Sequence, residues 1–281
     1  MSLHDEPRPS NGATVDLDAQ LLAADAPLPG ALVALVDRLA PGAAVVPLWR
    51  NQLGGITVRI DPPRARSSLV LKFSPPGRDV DLADERARLD WAGAFHPVPR
   101  VLESGDLELD EAGRAQWLLM TGLPGESAVT DRWRRDPRAA VRAIGEGLRL
   151  MHDSLPVEKC PFMGPELTGD SAPPVERLVV AHGDACAPNT LLDDSGRFLA
   201  HVDLGALGVA DRWSDLAIAS MSLEWNFGSG WEGEFFASYG VEADHDRMRA
   251  WRHRWNTAPS ASTDADSEPR TRTRSPSAGS P

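Results

Sequence analysis

The sequence predicts an α+β protein, with strands mainly in the first half of the chain and helices mainly in the second. Short apolar runs flanked by glycine or proline recur between Val45 and Met120, a pattern typical of strands. After about residue 130, apolar residues repeat at spacings of three and four, which indicates helices. Between Leu178 and Asp203 a strand, loop, strand, turn and strand interrupt this helical region.

Composition restricts the class of protein further. The chain has 281 residues, 42% of them hydrophobic, which suffices for the core of one two-lobed protein or of two small domains. A net charge of −12 argues against nucleic acid or an anionic membrane as the partner and suits a cationic small molecule. The two cysteines, Cys160 and Cys186, have neither metal-ligand nor disulfide spacing. Because the sequence also shows no signal peptide and no apolar span, we expect a cytoplasmic protein.

The N-terminal half is predicted as a small sheet with accompanying helices. Residues 1–27 carry little apolar pattern and are expected to be a flexible lead-in. Leu28–Leu39 has the spacing of a short amphipathic helix, and Val45–Ile60 has strand character on both sides of a glycine pair. The remaining elements are a strand at 68–73, a helix at 81–95 and strands at 98–102 and 116–120. On the helix at 81–95, the candidate buried residues are Leu82, Leu89 and Trp91.

The C-terminal half is predicted to be built from three longer helices. The first covers Arg138–Ser154, and its core face consists of Val141, Ile144, Leu148 and Met151. The other two are Trp213–Trp225 and Glu232–Tyr239, the latter ended by Gly240. Residues 257–281 contain no large apolar residue, so we expect a disordered tail.

The chemistry is expected in the stretch His182–Asn189 and in the Asp203 motif that follows it. Phosphoryl transfer depends mostly on positioning and on charge neutralisation. A carboxylate must accept or orient the proton of the attacking hydroxyl, and Asp184 fits that role. Mg²⁺ binds hard oxygen ligands and keeps several waters, so Asn189 and Asp203 are sufficient as its protein ligands. The alternative is a polar hairpin with an Asx turn. Protein kinases place a loop Asp, an Asn and a metal-binding Asp before Gly in the same order, which favours the catalytic interpretation.

These residues resemble a known family. HGDACAPN at 182–189 and HVDLGALGVADRWSDLAIA at 201–219 are similar to the aminoglycoside 3'-phosphotransferases. The resemblance implies a protein-kinase-like two-lobed fold, in which a small N-lobe, an antiparallel sheet with one helix, binds the nucleotide over 28–121. A larger, mainly helical C-lobe over 122–256 would carry catalysis and acceptor binding. It further implies ATP and Mg²⁺ as cofactors and a cationic aminoglycoside of the kanamycin or neomycin type as acceptor, with antibiotic resistance as the outcome.

The resemblance also assigns phosphate-binding residues in the N-lobe. Lys72 would bind the α- and β-phosphates, and Glu85 would pair with it and keep it charged. Asp84 is the weaker candidate for this pairing because it is shorter and faces another side of the helix. Gly54 and Gly55 would form the hairpin over the phosphates, since glycine lets backbone N–H groups approach the oxygens. Without the resemblance, Lys72 is an ordinary strand lysine and the glycine pair an ordinary hairpin turn.

A hinge between the lobes is implied where the last strand of the N-lobe ends. Adenine would bind the Thr121 carbonyl and the Leu123 N–H, with Met120 behind the ring. A plain loop is the alternative, and only the position of this segment in the ordered series favours the hinge.

The chain departs from the family pattern in two places. Between Phe162 and His182 it lacks the usual helical insertion, which shortens one wall of the acceptor pocket. Residues 257–281 replace the acidic, aromatic C-terminal helix of the family. Two alternatives therefore remain open. One is a related kinase with another alcohol or amino sugar as acceptor, and the other is a nucleotide-binding protein that has lost catalysis.

Overall fold

The computed structural model describes residues 21–51, 53–77, 81–109, 113–164 and 174–257. Most of the predicted lead-in and all but one residue of the predicted tail lie outside these ranges, as do residues 165–173 of the shortened segment after Phe162. None of the helices in the described ranges is long and apolar enough to cross a membrane.

The N-terminal lobe is a five-stranded antiparallel sheet in the order β1-β2-β3-β5-β4. Its elements are α1 Gly30–Leu39, β1 Ala44–Arg50, β2 Ile56–Asp61, β3 Leu69–Ser74, α2 Leu82–Ala92, β4 Val101–Glu108 and β5 Arg114–Thr121. Successive side chains of each strand point to opposite faces of the sheet, and a helix packs on each face. Trp117 and Leu119 of β5 belong to the apolar cluster that contains α1. Leu118 and Met120 belong to the cluster that contains α2.

The C-terminal lobe is mainly helical and surrounds the long helix α4. Its elements are β6 Glu126–Ser127, α3 Asp131–Arg134, α4 Pro137–Ser154, β7 Leu178–Ala181, β8 Thr190–Leu192, β9 Phe198–His201, β10 Gly208–Asp211, α5 Arg212–Phe227, α6 Glu232–Tyr239 and α7 His245–Thr257. β7 pairs with β10, and β8 pairs with both β6 and β9. The core contains Trp213, Phe235 and Trp251, which are nearly inaccessible to solvent.

A third apolar cluster joins the two lobes behind the candidate site. It combines Leu89 of α2 and Met120 of β5 with Met151 of α4, and with Leu204 and Leu207 from the turn between β9 and β10. All five side chains are buried. Because protein interiors are close-packed, this cluster fixes α2 relative to the loops of the C-terminal lobe.

Most predicted elements are present with boundaries shifted by one to three residues. The predicted core face of α4 is buried as expected, and Gly240 ends α6 in the left-handed conformation with φ of +85°. Two predictions need correction. Trp91 is only partly buried, whereas Glu85 takes a buried position on α2. The strand expected at 98–102 is β4 at Val101–Glu108, an edge strand whose polar side chains hide the apolar alternation.

Candidate active site

Two segments meet in the candidate site, and we name them by the roles predicted above: the catalytic loop is 182–189 and the metal turn is 203–207. The β8–β9 hairpin brings them together, since Thr190 pairs with His201. Just outside this pairing, the N–H of Val202 donates to the carbonyl of Asn189 at 3.0 Å. The side chains of Asn189 and Asp203 therefore follow directly from the two ends of one short hairpin.

Asp215 of α5 holds the start of the catalytic loop. Its carboxylate accepts hydrogen bonds from the N–H of His182 at 2.6 Å and of Gly183 at 3.0 Å. Nε2 of His152, which belongs to α4, lies 3.0 Å from Oδ2 of the same carboxylate. Although burial opposes ionisation, these contacts lower the pKa of Asp215 below its usual range. The buried carboxylate thus stays charged and fixes the loop backbone.

Gly183 lets the catalytic loop contact the metal turn backbone to backbone. Its φ is +81°, and a Cβ placed on it would lie 2.2 Å from the carbonyl oxygen of Ala206. Only glycine combines this conformation with this approach. The relative position of Asp184 and Asp203 therefore depends on a missing side chain.

Asp184 lies in a partly buried position at the centre of the loop. Burial raises the pKa of its carboxyl, and the nearby negative charge of Asp203 raises it further. Burial raises the pKa of the Cys186 thiol well above its usual range, and the neighbouring Asp184 carboxylate raises it further. The Oδ1 atom of Asp184 is buried and has no hydrogen-bond partner. A buried acceptor without a partner is costly, and the role of Asp184 as a proton acceptor stays a prediction.

Lys72 of β3 forms two ion pairs, one within the N-terminal lobe and one with the C-terminal lobe. Its Nζ lies 2.6 Å from Oε1 of Glu85 and 2.7 Å from Oδ1 of Asp203, which is 131 residues further along the chain. Although burial opposes it, the two carboxylates raise the pKa of Lys72. Burial raises the pKa of Glu85, and the attraction of Lys72 lowers the pKa of Asp203. Asp84, whose side chain is 64% exposed, instead pairs with Arg88 at 3.0 Å.

The donor set of the metal turn fits Mg²⁺. Asn189 donates through Nδ2 to the carbonyl of Asp184 at 3.0 Å, so its amide oxygen is the atom that can bind a cation. The Asp203 side chain is 50% exposed, so it remains accessible beside Lys72. No group of three or more His, Cys, Asp or Glu side chains in the described residues could hold a metal. One carboxylate and one amide oxygen nevertheless suit Mg²⁺, which keeps most of its waters.

The glycine turn of the N-lobe is closed by Asn51. Its Oδ1 accepts the N–H of Gly55 at 2.7 Å, and its carbonyl accepts the N–H of Gly54 at 3.0 Å. Gly54 has φ of +82°, which requires glycine. Both amide groups are thus bonded within the turn in this structure. Phosphate binding by Gly54 and Gly55 stays a prediction.

The predicted hinge lies at the end of β5. Met120 is buried in the cluster between the lobes, and Thr121 is the last residue of the strand. Gly122 continues the pairing, since its N–H donates to the carbonyl of Ser68 at 2.9 Å. Leu123 follows in the open connection and is partly buried. The three residues therefore lie together where the chain leaves the sheet of the N-terminal lobe, whereas their contact with adenine stays a prediction.

Three contributing residues were not assigned a role by sequence reasoning. Asn51 closes the glycine turn, and Ser222 of α5 accepts the N–H of Ala187 in the catalytic loop at 2.9 Å. Arg88 of α2 donates to the carbonyl of Leu207 at 2.9 Å. The side chains of all three contact backbone groups of other residues, and such contacts leave no motif in a sequence.

Comparison with known proteins places this geometry in context. The model of the phosphotransferase enzyme family matches residues 57–172 and 167–251. An aminoglycoside 3'-phosphotransferase of Streptomyces fradiae is 33% identical over 225 residues, covering 64% of this chain and 81% of that protein. A crystal structure of an aminoglycoside 3'-phosphotransferase of type VIII aligns with a TM-score of 0.65 at 28% identity, over 79% of this chain and 96% of the other.

A second solved structure adds ligands. The aminoglycoside phosphotransferase APH(3'')-Id of Streptomyces rimosus, in complex with ADP and streptomycin, aligns with a TM-score of 0.57 at 25% identity. The alignment covers 80% of this chain and 97% of that one. Similarity therefore extends over nearly the full length of both solved structures.

Proposed function

Because the chain belongs to the aminoglycoside 3'-phosphotransferase family and is a phosphotransferase with an alcohol group as acceptor, we propose that it phosphorylates a hydroxyl of an aminoglycoside antibiotic, in an ATP- and Mg²⁺-dependent reaction. The observation that carries the proposal is the convergence of Lys72, Glu85 and Asp203 in one ion-paired group beside Asp184. We assign nucleotide binding to residues 28–121 and acceptor binding with catalysis to residues 122–256. A kanamycin-type acceptor would make the outcome antibiotic resistance.

In the proposed mechanism, Asp184 accepts the proton of the acceptor hydroxyl. Its raised pKa brings the carboxylate closer to the range in which a general base works efficiently. Lys72, kept as an ammonium by Glu85 and Asp203, would bind phosphate oxygens. Asn189 and Asp203 would hold Mg²⁺ through their side-chain oxygens. When bound, ATP supplies the phosphoryl group and Mg²⁺ neutralises charge on the phosphates.

The adenine would lie at the end of β5. The proposed contacts are the Thr121 carbonyl and the Leu123 N–H, with Met120 behind the ring. Gly54 and Gly55 would cover the phosphates, which requires the Asn51 side chain to release the N–H of Gly55. The unpaired thiols of Cys160 and Cys186 support a reducing cytoplasm as the place of action.

The acceptor side of the cleft is bordered by α5. Ser222 contacts the catalytic loop through the N–H of Ala187, and Trp225 lies almost one turn further along the helix with 46% of its surface exposed. An aromatic face suits both a sugar ring and an ammonium group. Substituting Trp225→Ala should therefore raise the acceptor KM while nucleotide binding stays the same.

A second candidate function is phosphorylation of another amino sugar or alcohol. The streptomycin-bound relative supports it, because that protein is a 3''-phosphotransferase with a different acceptor. The short connection between Phe162 and His182 supports it as well, since fewer residues are available for the acceptor wall. Loss of catalysis is the third possibility, and the intact set of Lys72, Asp184 and Asp203 argues against it.

One assay separates these possibilities. Purified protein is tested for Mg²⁺-dependent ADP release against kanamycin, neomycin, streptomycin and simpler amino alcohols, with binding of a fluorescent ADP analogue measured in parallel. Asp184→Asn should abolish most turnover and keep nucleotide binding. Asp194→Asn is the matched control, because that carboxylate is 99% exposed and its ion pair contributes little. Nucleotide binding without turnover on any acceptor would refute the proposed activity, and full activity of Asp184→Asn would refute the base assignment.

A further inference from the structure

Arg88 connects helix α2 to the metal turn. Its side chain is 15% exposed, and Nε donates to the carbonyl of Leu207 at 2.9 Å. Leu207 is the last residue of the turn, and its own N–H donates to the carbonyl of Leu204 at 3.0 Å. One guanidinium of the N-terminal lobe therefore anchors a turn of the C-terminal lobe, using a charge-assisted bond that is stronger than a neutral one.

The same guanidinium makes two further contacts. Its central carbon lies 4.9 Å from the ring centre of Phe162, and Nη1 lies 3.0 Å from Oδ2 of Asp84, one helical turn earlier. The carbonyl of Phe162 accepts the N–H of Val209 at 2.9 Å. Because Arg is planar and pre-organised, stacking and hydrogen bonding at one site restrict its orientation. Arg88 thus links α2 to Leu207, the residue before β10, and to Phe162, which is hydrogen-bonded to β10.

The turn needs such an anchor. Asp203 has φ of +63°, a left-handed conformation that is unusual for a residue other than glycine. A strained backbone persists only where the surroundings over-determine it. The turn also packs closely on α2 beside the lysine partner, since a Cβ on Gly205 would lie 4.0 Å from Cβ of Glu85. Arg88 is three residues from Glu85 and projects from the same side of the helix.

We propose that Arg88 is a positioning residue for Asp203. It ties the Leu204–Leu207 turn to α2, so the Asp203 carboxylate is held for Mg²⁺ in register with the Lys72–Glu85 pair. Supporting groups of this kind commonly change metal affinity or activity 10–100-fold, by order of magnitude, when they are removed. The inference rests on the proposed function for the metal itself, whereas the anchoring of the turn stands on the contacts described above.

Three variants test the proposal. Arg88→Met keeps the length and the apolar stem and removes the donor and the charge. Arg88→Lys keeps a charge but places all its N–H donors on one nitrogen at a different position. Arg86→Met is the matched control, because Arg86 lies on the same helix, is 50% exposed and contacts Ser104 and Asp90. For each protein, a fluorescent ADP analogue is titrated with and without Mg²⁺, and amide hydrogen exchange of residues 203–208 is followed in the nucleotide-free protein.

We expect Arg88→Met to raise the Mg²⁺ concentration for half-saturation roughly 10–100-fold, with metal-free nucleotide binding unchanged. Exchange of the Leu207 amide should become faster, Arg88→Lys should be intermediate, and Arg86→Met should match the parent protein. Parent-like metal dependence and exchange in Arg88→Met would overturn the proposal. If that variant does not fold, parent-like behaviour of Arg88→Lys overturns it instead.

An equal loss of nucleotide binding with and without metal would also overturn the positioning role, because it indicates a general structural effect. The failure of the proposed function has a different signature. In that case the parent protein itself shows no Mg²⁺-dependent binding of the nucleotide. The exchange measurement then still decides whether Arg88 anchors the turn.

Discussion

Gly183→Ala tests whether the contact between the catalytic loop and the metal turn sets the rate. The added methyl would lie 2.2 Å from the Ala206 carbonyl oxygen, and Cβ atoms essentially never approach heavy atoms closer than 3.0 Å. The two segments must therefore move apart by about 0.8 Å, and a misplacement of this size at a catalytic site can cost on the order of 10²-fold in rate. That factor corresponds to about 2.7 kcal/mol of transition-state stabilisation.

The conformation of Gly183 adds a separate cost to stability. A left-handed φ costs a residue with a Cβ about 1–2 kcal/mol, and an overpacked contact adds about 1–3 kcal/mol. Gly42→Ala is the control for the first cost, because Gly42 has φ of +73° and no heavy atom within 4 Å of the built Cβ. It should lose only the conformational part of the stability and keep the parent kcat.

The assay is steady-state ADP release with a saturating acceptor, and chemical denaturation is measured on the same preparations. We expect kcat of Gly183→Ala to fall by about two orders of magnitude at a temperature where the variant is folded. A folded Gly183→Ala protein with the kcat of Gly42→Ala would refute the reasoning. The loop and the turn would then be able to separate without disturbing the chemistry.

Three further predictions follow. Burial lowers the pKa of His96 from an ordinary value of 6.5 to about 3. Between these values only the unfolded chain binds the proton, so the free energy of unfolding should decrease as pH falls below 6.5. Chemical denaturation at pH 7.5 and 5.5 should show a smaller dependence on pH for His96→Phe than for the parent protein. Trp251→Ala in α7 should cost about 3–5 kcal/mol, whereas Trp225→Ala should stay near ±0.5 kcal/mol; equal denaturation midpoints would mean that α7 is not part of the core. Lys72→Met should destabilise the fold and abolish nucleotide binding, which denaturation and titration with the fluorescent ADP analogue measure. Lys159→Met, at the other lysine of the chain, is the control and should change neither property. Nucleotide binding by Lys72→Met would contradict the assigned role.

The elements that the sequence predicted well are those whose pattern is local. The core face of α4 and the start of α2 follow from spacing within a few positions, and Asp81, the first residue of the predicted helix, caps α2 with its side chain. The predicted end of α2 was three residues too late. The exception on α2 is informative. Glu85 occupies a buried position where periodicity favours an apolar residue, because its partner Lys72 arrives from another strand.

The contacts that were not predicted either join residues far apart in the sequence or involve backbone atoms. The pair between Lys72 and Asp203 spans 131 residues, and its 2.7 Å distance follows from how the lobes pack rather than from any local signal. The bond from Arg88 to the Leu207 carbonyl has no sequence signature, because every residue except proline offers the same backbone groups. Motif reasoning and the family resemblance therefore named the groups of the site and the pair of Lys72 with Glu85, but neither the contact to Asp203 nor the backbone contact of Arg88.

The ion pairs of the site also explain how it can fold before its ligands arrive. Two carboxylates, Glu85 and Asp203, share one ammonium, and the Glu85 side chain is only 5% exposed. A buried carboxylate without a cation is strongly destabilising, so a site that relied on Mg²⁺ for this charge would be linked to metal for its folding. Lys72 supplies the charge from within the chain instead. The half-exposed Asp203 is the carboxylate that could hold Mg²⁺ when the metal is bound, while the buried Glu85 would keep its pair with Lys72.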